Sequence, residues 1–180
     1  MKTVLIIVAV IVVIIVILLI IALFAKKDYG VEREVTINRP RMDVFAYIKF
    51  LKNQDNYSKW ATMDPNMKRE YRGTDGTQGF VSAWESENKN VGKGEQEIEK
   101  VTEGQRIDYE IRFIKPFEST AKAYMITGPA SDTSRTIVKW GFKSRMKYPM
   151  NLMLLFMNME KMIGDDFTTG LTNLKNTLEK

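Results

Sequence analysis

The chain has 180 residues, 44% of them apolar, a formal net charge of +5, no histidine and no cysteine. The missing residue types exclude disulfides, thiolate nucleophiles and imidazole acid–base chemistry. Acidic and basic residues interleave along the chain, so no basic block offers a nucleic-acid footprint and no nucleic-acid partner is expected.

Val4 to Ala25 is an unbroken apolar run without charge, Gly or Pro. As a helix of about 22 residues it covers roughly 33 Å, enough for the hydrocarbon core of a bilayer. It is apolar on every face and lacks the polar stripe of a surface helix. A buried core helix of this purity needs more surrounding protein than the rest of the chain supplies. A cleaved signal peptide, the other alternative, has a shorter apolar region of about 7–15 residues and a small-x-small site, which Leu23 fits poorly before Ala25. The reading is therefore a single-pass transmembrane anchor at 4–25, a short tether at 26–30 and one domain at 31–180. Lys26, Lys27, Arg33, Arg39 and Arg41 outnumber Lys2, which favours the cytoplasmic side for the domain. The sequon Asn56-Tyr57-Ser58 is unremarkable as a single match in a chain of this size.

Val31, Arg33, Val35 and Ile37 alternate with Glu32, Glu34 and Thr36, the period of a half-buried strand. Asn38-Arg39-Pro40 ends it, and Pro40 suits the first turn of a helix. Met42, Phe45, Tyr47, Ile48 and Leu51 then recur at helical spacing. A second short helix is expected over Asp55 to Trp60, before a loop through Asp64-Pro65. Strands follow at Lys68–Arg72, Phe80–Glu85, Gly94–Val101, Arg106–Ile114 and Glu118–Thr127. The turns between them are rich in Gly and Asn, and a loop spans 128–134. In the last strand Thr136, Val138, Trp140 and Phe142 share the inner face. Short connections imply antiparallel neighbours. Met146 to Met162 holds Met146, Met150, Met153, Met157, Met159 and Met162. From Met159 to Leu178 the apolar residues step by three and four, the pattern of a long amphipathic helix. The class is α+β: a sheet of about seven strands with one long helix able to cover its apolar face.

That order resembles the START-like, or SRPBCC, superfamily, whose helix-grip fold wraps a curved antiparallel sheet around a C-terminal helix. The strings Trp60–Met67 (WATMDPNM), Ile114–Ala121 (IKPFESTA) and Tyr148–Asp166 (YPMNLMLLFMNMEKMIGDD) look most like bacterial polyketide cyclase/dehydrase-type members with an N-terminal membrane helix. The likeness covers about residues 30–180. It implies a cavity for a lipid or other hydrophobic small molecule between sheet and helix. Its lining would come from Phe80, Trp84, Gln96, Ile98, Tyr109, Phe113, Trp140 and Phe142 on the sheet, with Met159, Met162, Ile163 and Phe167 on the helix. For each of these an ordinary filled core is the competing reading. Gln96 either orients a polar head group or bonds a neighbouring backbone group or water. Trp60 either gates an opening or packs on the core.

Three functions compete on these residues. The first is a membrane-anchored binding module for a lipid or hydrophobe, which needs no cofactor. The second is a cyclase- or aromatase-like enzyme, for which Glu85, Glu95 and Tyr109 are the strand candidates. The third is a protein-interaction domain with a filled core. Asp165-Asp166 on a helix point in different directions, and no carboxylates show a calcium-loop spacing, so no metal site is expected. Gly92-Lys93-Gly94 is not followed by a helix and is no phosphate loop.

Overall fold

The computed structural model describes residues 1–130 and 134–180. Helix α1 (Lys2–Phe24) carries the apolar run. Then come β1 (Asp28–Ile37), α2 (Arg41–Ile48), a 3-10 helix at Leu51–Asn56 and α3 (Lys59–Met63). Strands β2 (Lys68–Arg72), β3 (Val81–Glu85), β4 (Lys93–Thr102), β5 (Arg106–Lys115), β6 (Ser119–Pro129) and β7 (Thr136–Arg145) follow. A second 3-10 helix, Met150–Leu155, leads into α4 (Met159–Leu178). Every pairing is antiparallel, in the order β1-β7-β6-β5-β4-β3-β2. This is the expected α+β helix-grip arrangement of seven strands and a long C-terminal helix.

Four local expectations change. β1 starts at Asp28, opposite Arg145, and Tyr29 packs 6.0 Å from the Phe142 ring, so the link from α1 shortens to Ala25–Lys27. The helix expected over Asp55–Trp60 is two pieces, the 3-10 turn and α3. Gln54 carries the last hydrogen bonds of the first piece, to the amides of Tyr57 and Ser58, and Ser58 precedes the second. Pro40 precedes α2 as its cap rather than entering its first turn, and its carbonyl accepts from the Asp43 and Val44 amides. Gly128 and Pro129 belong to β6; residues 131–133 of the expected loop lie outside the described residues.

Curvature has a local cause. The pairing of β4 with β5 slips between Ile98 and Lys100, leaving Glu99 as an extra residue. Such a bulge bends its strand and raises the local twist. It also lets Ile98 and Val101, three apart, both face partners on the inner side, Tyr109 and Ile107. The register then defines two faces. One carries Ile98, Tyr109, Met125, Trp140 and Phe142, all buried; the other carries most of the charged residues, with Arg33 and Arg69 as inward exceptions.

Helix α4 covers the buried face. Its Phe167, Leu171 and Leu174 sit in the same apolar cluster as Val31, Ile98, Tyr109 and Trp140. Asn158 caps it by accepting the Lys161 amide at 2.9 Å, satisfying one of the helix's orphan donors. Gly170 lets it approach closely: a Cβ there would lie 2.8 Å from the Trp140 ring. At its far end Lys175 donates to the Thr36 carbonyl, and Arg39 donates to the Leu178 carbonyl. The helix therefore runs along β1 from the level of Arg33, which pairs with Glu160, to the end of that strand.

Helix α1 is long and apolar enough to cross a membrane. Among its residues only Ala22 is buried. The 3-10 helix after β7 packs on this end of α1, where the Asn151 side-chain amide donates to the carbonyls of Ala22 (2.7 Å) and Ala25 (3.2 Å). The Met146 amide donates to the Lys27 carbonyl at 2.8 Å.

Candidate functional site: the concave face of the sheet

The residues expected to line a cavity fall into two groups. Phe80, Ile98, Tyr109, Trp140, Phe142 and Phe167 are buried in one continuous cluster. Trp140 and Phe167 stack with ring centroids 4.5 Å apart. Trp60, on α3, meets both edge-on at 6.5 and 5.8 Å, and Tyr57 meets Trp140 at 5.8 Å. Trp60 is thus packed on the core. Stacked and edge-on aromatics at these separations fill the middle of the sheet–helix space as ordinary core.

Trp84, Gln96, Phe113, Met159 and Ile163 are only half-buried. Cross-strand pairing places Trp84 opposite Gly94, Gly94 opposite Phe113, and Gln96 between Ser82 and Ile111. All six sheet residues share the face that carries Ile98 and Tyr109, so this concave face is left partly uncovered along β3, β4 and β5. Met162 departs from the expected lining. It is 52% exposed and stands outside the apolar cluster, one residue short of the stripe that Ile163 and Phe167 present to the sheet.

Local sequence explains the open floor. The Trp84 indole occupies the space where a side chain on Gly94 would stand, with ring atoms 2.7 Å from such a Cβ. Its N–H donates to the Val91 carbonyl at 3.2 Å, and its edge meets Phe113 at 6.3 Å. Only glycine at 94 admits that placement. Beside this apolar floor the Gln96 amide and the Ser82 hydroxyl make no hydrogen bond within the described residues. Polar groups in such a place bind water or a polar atom of a ligand.

The β2 edge of the concave face is closed by polar side chains. Tyr71 donates to Asp55, Arg69 approaches the same carboxylate at 3.3 Å, and Arg69 also donates to the Ala61 carbonyl at 3.0 Å. Burial and the Asp55 carboxylate push the Tyr71 phenol up to about 12. Tyr71 stacks on Phe80 at 6.1 Å, and the Lys52 ammonium lies 4.8 Å over its ring.

The candidate acid–base residues separate as well. Glu85 and Glu95 lie on the convex face, turned away from the concave one. Glu85 pairs with Lys93 at 3.0 Å, and Glu95 with Arg72 and Arg112. Arg112 is bonded by Glu95, Glu97 and Glu110, each at 2.7 Å, and these contacts raise its pKa. Tyr109 does face inward, but burial pushes its phenol well above the ordinary value, so it stays protonated and serves as no base. Its hydroxyl and the Gln54 amide nitrogen are both buried without a hydrogen-bond partner among the described residues. Sequence reasoning missed the Asp55–Tyr71–Arg69 set, because its members come from two segments with no shared pattern.

Two shallow depressions, of about 600 and 460 Å³, lie on the opposite, convex face around Lys122 and Lys143. Gly30, in register with Lys143, leaves the floor of the larger one bare. Both are open to solvent and rimmed by charged side chains.

Comparison with known proteins matches this fold. The structure resembles norcoclaurine synthase from Thalictrum flavum, solved in complex with dopamine and hydroxybenzaldehyde (TM-score 0.61, 10% identity, 89% of this chain and 94% of that one). It also resembles an uncharacterized protein from Bacillus thuringiensis (TM-score 0.60, 12% identity, 84% and 100%). A solution structure from Thermobifida fusca is similar too (TM-score 0.55, 20% identity, 83% and 92%). Among proteins with curated descriptions none matches. The sequence model described as polyketide cyclase / dehydrase and lipid transport matches residues 29–179, nearly the whole domain from β1 to the end of α4. The chain belongs to the polyketide cyclase / dehydrase and lipid transport family.

Proposed function

We propose that the chain is a membrane-anchored binding module for a lipid or other hydrophobic small molecule, held on the concave face between β3–β5 and the first half of α4. The observation that carries the reading is the uncovered apolar floor of Trp84, Ile111 and Phe113. Filled core lies behind it, and the unpaired Gln96 amide and Ser82 hydroxyl lie beside it. Such a mix of apolar walls and a few polar groups is what small-molecule sites present. Norcoclaurine synthase, of similar fold, is known with dopamine and hydroxybenzaldehyde bound. The length and apolarity of α1 support the anchor. A link of only Ala25–Lys27 keeps the domain against the bilayer, where lipid-soluble molecules are concentrated.

The test is photolabelling of the full chain in vesicles with a diazirine-bearing fatty acid, followed by peptide mapping. The expected result is adducts on the peptides containing Trp84, Gln96 and Phe113, reduced when Ser82→Trp fills the floor. Adducts confined to α1 would defeat the reading.

A further inference from the structure

Strand register shows which parts of the domain lie near the end of α1. Asp28 opens β1 opposite Arg145 at the close of β7, and Ala121 near the start of β6 faces Ser144. The β5–β6 hairpin tip, 116–118, therefore lies at the end of the sheet where α1 arrives. The β3–β4 tip lies there too. Gly92 takes φ +64, and a Cβ on it would stand 2.2 Å from the Lys115 carbonyl. The opposite end carries the β4–β5 turn with Glu103 and Gln105.

Most of the exposed large apolar side chains of the domain gather at the α1 end; Met42, beside Gly104 in the β4–β5 turn, Phe50, beside Gly76, and Met63 and Met162, on α3 and α4, stand apart from them. Phe117, at the hairpin tip, is 69% exposed, and Phe156, at the close of the Met150–Leu155 segment, is 78% exposed. Leu155, Met150, Met153 and Tyr148 are exposed on the same segment. That segment is fixed to the end of α1 by the Asn151 amide, through Ala22 and Ala25. The charges there are mixed. Lys26, Lys89, Lys115 and Lys147 are exposed, with Glu87 and Glu118 among them, while Arg145 is paired with Asp28 and Lys93 with Glu85. Among the described residues the unpaired balance there is basic.

We propose that this end of the domain is a second membrane contact, with Phe117 and the Met150–Phe156 segment seated in the interface of an anionic bilayer beside the point where α1 enters it. Exposed apolar side chains clustered together mark an interaction surface. Aromatic side chains favour the headgroup level, and lysines around them gain from anionic lipid. Continuity with α1 identifies the occupant as lipid. The Asn151 clamp turns one flexible attachment into a fixed orientation, and the uncovered part of the concave face, at Trp84 and Phe113, then sits on the bilayer side of the domain. The inference rests on the anchor reading of α1.

The absence of native cysteine makes single-site nitroxide labelling clean. The full chain carries Ile14→Cys, Phe117→Cys, Phe156→Cys or Gln105→Cys, one at a time, in vesicles of phosphatidylcholine and phosphatidylglycerol. Accessibility of each label to oxygen and to a water-soluble nickel chelate is then measured. Phe117 and Phe156 are expected to shift toward the oxygen-favoured ratio of Ile14, with Gln105 remaining aqueous. A label at 117 or 156 as open to nickel as Gln105, while Ile14 reads lipid, overturns this inference and leaves the anchor intact. A label shielded from both reagents indicates a protein partner or second copy and overturns it too. An aqueous Ile14 refutes the anchor, and the inference with it.

Discussion

The Asn151 side-chain amide donates a 2.7 Å hydrogen bond to the carbonyl of Ala22, a contact between residues 129 positions apart that joins the 3-10 segment after β7 to the first helix. The final carbonyls of a helix have no partner within it. Here two of them, Ala22 and Ala25, are satisfied by one buried amide. Asn151→Ala leaves both without that donor at a cost of about 1–3 kcal/mol. The expected consequence is local loosening of the link. Trypsin should cut after Lys26 or Lys27 at least about fivefold faster in the variant, since ~1 kcal/mol of local opening is about that factor. Equal cleavage rates would mean that the clamp does not restrain the link.

The division of the concave face into filled and open halves predicts unequal tryptophans. Trp140 is buried against Phe167, Tyr57 and Trp60, so Trp140→Ala is expected to cost about 3–5 kcal/mol. Trp84 is half-buried over Gly94 and loses less surface contact, so Trp84→Ala should cost less than about 2 kcal/mol. Denaturant unfolding of the two variants gives the comparison. Similar losses would show that the Trp84 region is packed core.

Two glycines of α4 make the same helix-propensity gain available, about 1 kcal/mol for Gly→Ala, against different neighbours. At Gly170 the new Cβ meets the buried Trp140 ring at 2.8 Å, and a rigid indole held on both sides cannot yield cheaply. At Gly164 it meets the Arg33 guanidinium, at the end of a flexible chain whose partner is the exposed Glu160. Overpacking at 170 should cost about 1–3 kcal/mol before the propensity gain is subtracted. Gly164→Ala should leave the thermal midpoint equal to or above that of the parent, and Gly170→Ala should lower it.

The convex charge network predicts an acid limb. Hydrogen bonds from Arg72 and Arg112 hold the Glu95 carboxyl below its ordinary value, and those from Lys122 and Arg112 do the same for Glu110. A carboxyl lowered on folding contributes stability above its unfolded value, near 4.5, and loses it as pH falls through the lowered folded value. The thermal midpoint should therefore drop below about pH 4.5. Arg112→Gln should drop less steeply, and high salt should narrow the difference, because these groups are partly exposed. Identical pH slopes for the two proteins would show that the network does not stabilise the fold.

Periodicity made most strands legible. Alternation at Val31–Ile37 and Arg106–Ile114, and the three–four stripe from Met159, read directly as elements because burial of one face repeats along a single segment. The same signal could not separate cavity wall from core. Trp84 and Trp140 carry the same inward phase, and only the position of α4, which lies along β1 and reaches across to Trp140 through Gly170, makes one a core residue and leaves the other half-covered. Met162 falls outside the inward stripe for a related reason: one residue of rotation on a helix moves a side chain by about 100°, beyond what a stripe of methionines resolves.

By itself the sequence determined the apolar first helix, the α+β class, the order of elements and the inward phase of the strands, because each is written in local composition and spacing. The tertiary structure alone decided which inward residues remain uncovered and how α4 is rotated against them. It also decided that a segment near residue 151 closes on the end of the first helix. Those outcomes depend on contacts between residues far apart in the chain, which no local period encodes. The apolar run that dominates the first reading thus becomes half of a joint, and the other half is an asparagine that nothing in its own neighbourhood marks out.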